Sequence, residues 1–382
     1  MSAALLLASV SLAIWLYLLL GRGFFWLTRV APLPAPPTHW PSVLAVVPAR
    51  NEAAVVGTAI DSLLRQQYAG RFSIVLVDDH SEDGTAEIAR EAAARAGKND
   101  CLRVVSAPPL PGGWTGKLWA LGEGVRLVRE GDPPDLFFFT DADIAHHATN
   151  LAELVARLEG ERRDLVSLMV RLRCESWAER FLIPAFVFFF AMLYPFARSN
   201  DPRRRTAAAA GGCVLLRRSA YERIGGFAAI HAALIDDCAL ARAVKRSGGS
   251  IWLGLTQRTR SLRPYPQIAD VWRMVARTAF DQLHHSPILL AGTAAGLALT
   301  YLAPPILVVF GGEARWPAAL AWAAMTLAYA PMVRFYGLSL LWAPLLPAIA
   351  LVYLAATVDS ARRYWLGRGG EWKGRMAWRS QS

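Results

Sequence analysis

Two pairs of carboxylates carry most of the chemistry in this sequence. Asp141 and Asp143 stand in FFTDADI (138–144), and Asp236 and Asp237 in LIDDCAL (234–240), each pair beside apolar runs bound for an interior. A buried ionised carboxylate is costly unless a cation or hydrogen-bond donors compensate. No side-chain cation lies near Asp143 in sequence. Hard divalent ions take oxygen ligands, and Mg2+ or Mn2+ commonly bridges a carboxylate to substrate phosphates. The expectation for Asp141 and Asp143 is therefore a metal carrying a diphosphate. Asp236 and Asp237 open an apolar helix, where acidic residues also serve as caps, so a cap and a general base are both open.

Two further motifs could bind a nucleotide. Asp78 and Asp79, in VDDHSEDGT (77–85), fall where a strand ends. A carboxylate there can accept from a nucleobase N–H or a ribose hydroxyl, while Ser81, Asp83, Gly84 and Thr85 suit a turn and a helix start. Lys117, in GGWTGKLWALGEGV (112–125), can meet phosphate or a carboxylate from a helix start, or face solvent. That stretch is no phosphate-binding P-loop, because Pro111 replaces the first glycine and Leu118 follows the lysine. G-x-S-x-G, H-E-x-x-H and a dinucleotide G-x-G-x-x-G after the first strand are all missing.

Short apolar runs must position these groups. They lie at 43–47, 74–77, 102–105, 136–139, 165–170 and 213–216, the first stopped by Pro48. Helix-period stretches separate the early ones. The stretch 54–67 places Val55, Ala59, Ser62 and Leu63 on one face, and 85–96 is Ala-rich. This alternation reads as an α/β fold, a mainly parallel sheet covered by helices, with ligands beyond the carboxyl ends of the strands.

The 382 residues carry a net charge of +11 and are 54% hydrophobic, unevenly spread. Apolar stretches at 4–20, 287–310, 316–333 and 338–358 each approach the ~20 residues that cross a bilayer. The expected organisation is an anchor (1–30), a Pro-rich linker (31–42), a soluble domain (43–285), membrane helices (286–360) and a basic tail (361–382). Arg22 and Arg29 after the anchor put the domain in the cytoplasm. Three further crossings would then leave the basic tail outside, so either a late segment is re-entrant or the tail breaks the rule. Breaks are possible at Pro331 and Arg334, and at Pro344 and Pro347. The segment 180–197 reads as an interfacial helix, with a buried core helix as the alternative, since a single crossing there would part the two carboxylate pairs. The arginines are scattered or juxtamembrane, which favours anionic lipid over nucleic acid. Four widely spaced cysteines (Cys101, Cys174, Cys213, Cys238) give no metal or disulfide pattern.

The motifs VVPARNEA (46–53), VDDHSEDGT, Gly116-Lys117 with Ala120-Leu121, TDAD (140–143), AAGGCVLLRR (209–218), GGF (225–227) and IDD (235–237) follow one another in this order. In that order the chain resembles the family 2 inverting glycosyltransferases. Within them it is most similar to the hopene-associated glycosyltransferases of bacterial hopanoid gene clusters, relatives of ceramide glucosyltransferases. The runs 167–197 and 252–265 carry this closer likeness.

The resemblance implies a GT-A, Rossmann-like domain in a bacterial inner membrane, a nucleotide-sugar donor and a lipid acceptor. It implies that Pro48, Ala49, Arg50 and Glu52, with Asp78 and Asp79, hold uridine. Asp143 and Asp141 would bind Mg2+ or Mn2+ and the donor diphosphate. Asp237, preceded by Asp236, would be the general base. The family's Q/R-x-x-R-W motif is degenerate, for VWRMVARTAF keeps Arg273 and Arg277 without the Trp. Arg277 remains a candidate diphosphate contact. The rivals are a polyprenyl-phosphate glycosyltransferase, which needs no base, and a catalytically silent membrane scaffold.

Overall fold

Burying the six apolar runs produces one mixed sheet. The computed structural model describes residues 2–127 and 133–369, and the backbone of 371–372 and 375–376. In chain order its elements are α1 (Ala3–Leu20), β1 (Val43–Ala49), α2 (Ala53–Leu64), β2 (Phe72–Asp78), α3 (Thr85–Arg95), β3 (Leu102–Ser106) and α4 (Gly116–Arg126). Next come β4 (Leu136–Phe139), β5 (Ile144–Ala145), α5 (Asn150–Gly160), β6 (Leu165–Arg171), α6 (Trp177–Leu193), α7 (Phe196–Asn200), β7 (Val214–Arg217) and α8 (Arg218–Arg223). The chain ends through α9 (Asp236–Arg246), β8 (Ile251–Ser261), α10 (Ile268–Ala276), α11 (Pro287–Leu297), α12 (Ala303–Phe310), α13 (Arg315–Phe335) and α14 (Leu346–Trp365).

The strand order is β3-β2-β1-β4-β7-β6-β8-β5. The first four strands are parallel, β7 runs against both neighbours, and β5 runs against β8. β6 and β8 pair in parallel and run in the direction of the first four, so the sheet is mainly parallel, as expected, with β7 and β5 reversed. Pro48 does not stop β1. The carbonyls of Val46 and Ala49 point to opposite neighbours, accepting Thr140 N–H and Asp79 N–H, so Pro48 faces the β4 side. The β1–β4 pairing ends at Val46, and no ladder bond is lost at the proline. In α2 the buried face centres on Val56, Ala59, Ile60, Leu63 and Leu64, one residue off the expected stripe at Val55 and Ser62. β8 and β5 were not anticipated.

Helices Ala3–Leu20, Pro287–Phe310, Gly312–Phe335 and Leu340–Trp365 are long and apolar enough to cross a membrane. Three of them reach from the domain to the far end of the helical bundle. Ala8 packs with Ala314 and Ala318 at the far end, whereas Arg22, beyond α1, donates to the carbonyls of Met192 and Leu193 at the domain. The last one has both its ends near the domain. It follows Phe335 and Tyr336, whose carbonyls accept from Gln257 and Arg171 of the domain. It dips until the Pro344 carbonyl meets Trp322 Nε1 at 3.0 Å, midway along α13. It then returns as α14, where Asp359 accepts from Trp272 and Ser360 from the Phe280 N–H. Both ends lie on the domain side, and Pro344 and Pro347 mark the turn. Arg362, Arg363 and Arg368 thus end on the domain side. Lys373 and Arg379, and the Arg375 side chain, lie outside the described residues.

α6 differs from expectation. Leu182, Ile183, Ala185, Val187 and Phe188 are all buried, with Phe188 1% exposed between Phe25 and Tyr329. It packs against α10, α13 and α14 with protein on most sides. A bilayer-facing Phe188 is excluded. The same aromatic character that suggested lipid contact packs here against Tyr301, Tyr329 and Tyr353.

Candidate active site

The site lies beyond the carboxyl ends of β1, β4 and β6, in a cleft of about 620 Å³. Its floor depends on cross-bracing between loops. Asn51, Glu52 and Ala53 give their N–H groups to Ser81, Thr85 and Asp83, so the turn after β2 caps the start of α2. Gly84, at φ +82°, makes that turn possible. Asp78 is spent locally, its Oδ1 accepting from the Ser81 N–H and hydroxyl. Arg50 donates to the Asp79 carbonyl and lies 3.8 Å from the Asp79 carboxylate.

The TDAD turn is fixed from behind. Thr140 donates to the Gly212 carbonyl at 2.9 Å, which leaves its oxygen to accept from His146 Nε2 at 2.8 Å. His146 Nδ1 then accepts from Asn150 Nδ2 at 3.1 Å. Burial pushes the imidazole down to about 3, so this histidine is a neutral strut. On the other side, Ile144 pairs with Ser261, and the Asp143 carbonyl accepts the Leu262 N–H. That register delivers Arg263, whose Nε donates to Asp143 Oδ2 at 2.9 Å while Nη2 donates to Glu52. The charge beside Asp143 is thus a guanidinium from 120 positions further along the chain. Burial holds the Asp143 carboxyl above its ordinary value, against the pull of Arg263.

Asp236 and Asp237 open α9 across the cleft. Asp237 Oδ2 accepts the Gly211 N–H at 2.8 Å, and Oδ1 the Cys238 N–H at 2.7 Å. Burial, and next the charge of Asp236, push Asp237 up to about 6, with Lys117 pulling the other way. Lys117 bridges the two carboxylate pairs, 2.9 Å from Asp141 and 3.1 Å from Asp236. Burial opposes its charge, yet Asp141, Asp236 and Asp237 hold its pKa above the usual lysine value. A Cβ at Gly211 would lie 2.9 Å from Lys117 Nζ, so a side chain there would push on the lysine end.

The structure therefore brings together Pro48, Glu52, Lys117, Asp141, Asp143, Asp236, Asp237 and Arg277 around one cleft. Ala49, Arg50, Asp78 and Asp79 stand outside its lining. Arg263, His146, Gly211 and Glu179 were missed. Glu179, 1% exposed, accepts N–H groups from Glu175, Ser176 and Tyr265, which tie α6 to the loop after Arg263. These bonds outweigh burial and lower its pKa. The remaining wall is apolar, with Phe186 and Phe190 of α6 and Met274 of α10, and it is rimmed by Arg273, Arg277, Arg363 and Arg368.

Among the described residues no three His, Cys, Asp or Glu side chains are grouped to hold a metal ion. Asp141 and Asp143 nevertheless suit a hard divalent ion that brings its other oxygen ligands with a diphosphate, which needs only one or two protein carboxylates.

A sequence profile described as Glycosyl transferase family 2 matches residues 44–225. An uncharacterised protein of Methanocaldococcus jannaschii is 31% identical over 123 residues, 32% of this chain. The chain spans 44% of that relative's length. Among solved structures, a mannosyltransferase from Pyrobaculum calidifontis, in complex with GDP-Man and Mn2+, is similar at a TM-score of 0.56 and 21% identity. That match covers 95% of this chain and 99% of the other. The strand order, the cleft and the structural likeness agree on the GT-A fold, and residues 44–225 match the glycosyltransferase family 2 profile.

Proposed function

We propose that the protein is a membrane-bound, metal-dependent inverting glycosyltransferase. It moves a sugar from a nucleotide-sugar, read as a UDP-sugar, to a lipid hydroxyl at the cytoplasmic face of a bacterial inner membrane. A hopanoid-related lipid is the acceptor class that the sequence resemblance favours. The observation that carries this reading is the position of Asp237, in the same cleft as Asp141 and Asp143 yet held by different elements.

Asp143, with Asp141, would hold Mg2+ or Mn2+, and the P. calidifontis mannosyltransferase was solved with Mn2+. The ion supplies Lewis-acid neutralisation of the leaving diphosphate. Asp237 takes the proton from the acceptor hydroxyl as that oxygen bonds to the anomeric carbon, on the face opposite the breaking bond to the diphosphate. Glu52 and Pro48 form the nucleotide side of the cleft. The apolar wall of Phe186, Phe190 and Met274 continues into the helices that pack on the membrane layer, a route for a lipid.

A second reading draws on the arginine rim: Arg273, Arg277, Arg363 and Arg368 would suit a polyprenyl-phosphate acceptor. It leaves Asp237 idle. Membranes containing the protein, incubated with labelled nucleotide sugars and extracted lipids, should yield a neutral glycolipid identified by mass. A polyprenyl-phosphate sugar would favour the second reading, and no product with any donor would sink both.

A further inference from the structure

Arg263 grips the metal-side carboxylate and the nucleotide-side turn at once. Its fork spans Asp143 Oδ2 and Glu52 Oε1, groups 120 and 211 residues away in sequence. Both carboxylates are largely buried, with side chains 11% exposed. Glu52 is in turn fixed, because its N–H is held by Thr85. The carboxylates Glu52, Asp141 and Asp143 thus already face two side-chain cations, Arg263 and Lys117, before any ion arrives. A divalent ion placed on Asp143 puts positive charge against the guanidinium, a like-charge contact in a poorly solvated place. A diphosphate arriving with the ion offers the displaced guanidinium two or more anionic oxygens, and Arg is well shaped to take them.

We infer that Arg263 is a resident counter-cation that occupies Asp143 in the donor-free enzyme and passes to the donor diphosphate, pivoting on Glu52, when metal and nucleotide bind together. Arg263 is a positioning residue for Asp143 in one state and a ligand of the diphosphate in the other. Metal alone then binds weakly and metal with nucleotide binds well, since each removes the cost that opposes the other. This rests on the metal site proposed above.

The test is Mn2+ binding to the full-length protein in detergent, followed by electron paramagnetic resonance of free Mn2+, with and without UDP. Wild type should show Mn2+ and UDP tightening one another by ~5–150-fold, the usual span of such coupling. Arg263→Met should bind Mn2+ alone more tightly than wild type and lose the coupling to within about twofold. Damage to the fold would weaken Mn2+ binding, which is the opposite sign. Arg263→Lys keeps one charge without the fork, and its coupling should fall between the two. The inference is overturned if a folded Arg263→Met binds Mn2+ alone no more tightly than wild type, or keeps the coupling. Should Arg263→Met fail to fold, coupling in Arg263→Lys equal to wild type overturns it. Wild type that binds no Mn2+, with or without UDP, overturns the metal reading itself, so the two failures are distinct.

Discussion

The two acidic ends of the cleft are compensated in different ways. At the proposed metal end, Asp143 is met by the long side chain of Arg263, and Asp141 by Lys117. At the proposed base end, Asp237 is held by two backbone N–H groups, one from Gly211 and one from its own helix start. A side-chain cation can withdraw and be replaced by an ion. Backbone donors are fixed, and they leave a carboxylate oriented but still able to take a proton. Lys117 joins the two ends through Asp141 and Asp236, so neither is electrostatically isolated.

The largest expected effect is at the base. Asp237→Asn keeps the size and the acceptor oxygen but removes proton acceptance, so kcat should fall by at least ~10²-fold with nucleotide binding near normal. If Asp237 were only a cap, the change would cost about 1 kcal/mol of stability and leave turnover largely intact. Melting temperature and single-turnover rate on the same sample separate the two.

Asp143→Asn should strike binding instead of turnover. Nucleotide affinity in the presence of Mn2+ should drop by about tenfold or more, equivalent to 1.4 kcal/mol, while affinity without Mn2+ stays put. The fold should persist, because Glu52 still holds Arg263 and no charge is orphaned. Calorimetry that finds the same Mn2+-dependent affinity in the mutant would remove Asp143 from the metal site.

A smaller effect is expected where the two ends meet. Gly211→Ala retains the N–H that holds Asp237, but its Cβ would press on Lys117 Nζ at 2.9 Å and approach Asp237 Oδ2 at 3.5 Å. The lysine end can shift, so kcat should fall by less than ~10²-fold, the scale of an ångström-sized misplacement. Wild-type turnover in this variant would mean that the bridge from Asp141 to Asp236 is not needed.

The difference between the two ends also explains what the sequence reveals. The β1–β4 half of the sheet and both carboxylate pairs are legible because each is a local signal: an apolar run, then a turn, then acid. Arg263 is not, because its partners Asp143 and Glu52 lie 120 and 211 positions away and only the β5–β8 register brings them close. His146 reads as an ordinary polar residue until burial against Thr140 and Asn150 gives it a task. α6 misleads for a physical reason, since an aromatic helix that buries itself on membrane helices has the composition of one that lies in lipid. The turn back to the domain is foreshadowed by a pair of prolines, Pro344 and Pro347, but seeing it requires knowing that Asp359 meets Trp272.

The smallest effect concerns protons at the base end. Asp237 is pushed up to about 6 from an ordinary value of 3.8, by burial first and by Asp236 second. A base must be ionised, so kcat/KM should be flat above pH ~6 and fall about tenfold per unit below it. Folding stability runs the other way. The folded state favours protonated Asp237, so ionising it between about pH 4 and pH 6 costs stability, and Asp237→Asn should flatten that part of the stability curve. Asp236→Asn removes the second of the raising causes and leaves Lys117 beside Asp141, still lowering Asp237. Its acid limb should therefore move to lower pH, by less than the whole gap between 6 and 3.8 because burial, the larger cause, is unchanged. The plateau rate should hold within a few-fold, as Asp236 takes no proton. A limb that stays in place would mean that Asp236 is screened from its neighbour, and one that moves upward would mean that Asp236 chiefly serves to bring Lys117 close to Asp237.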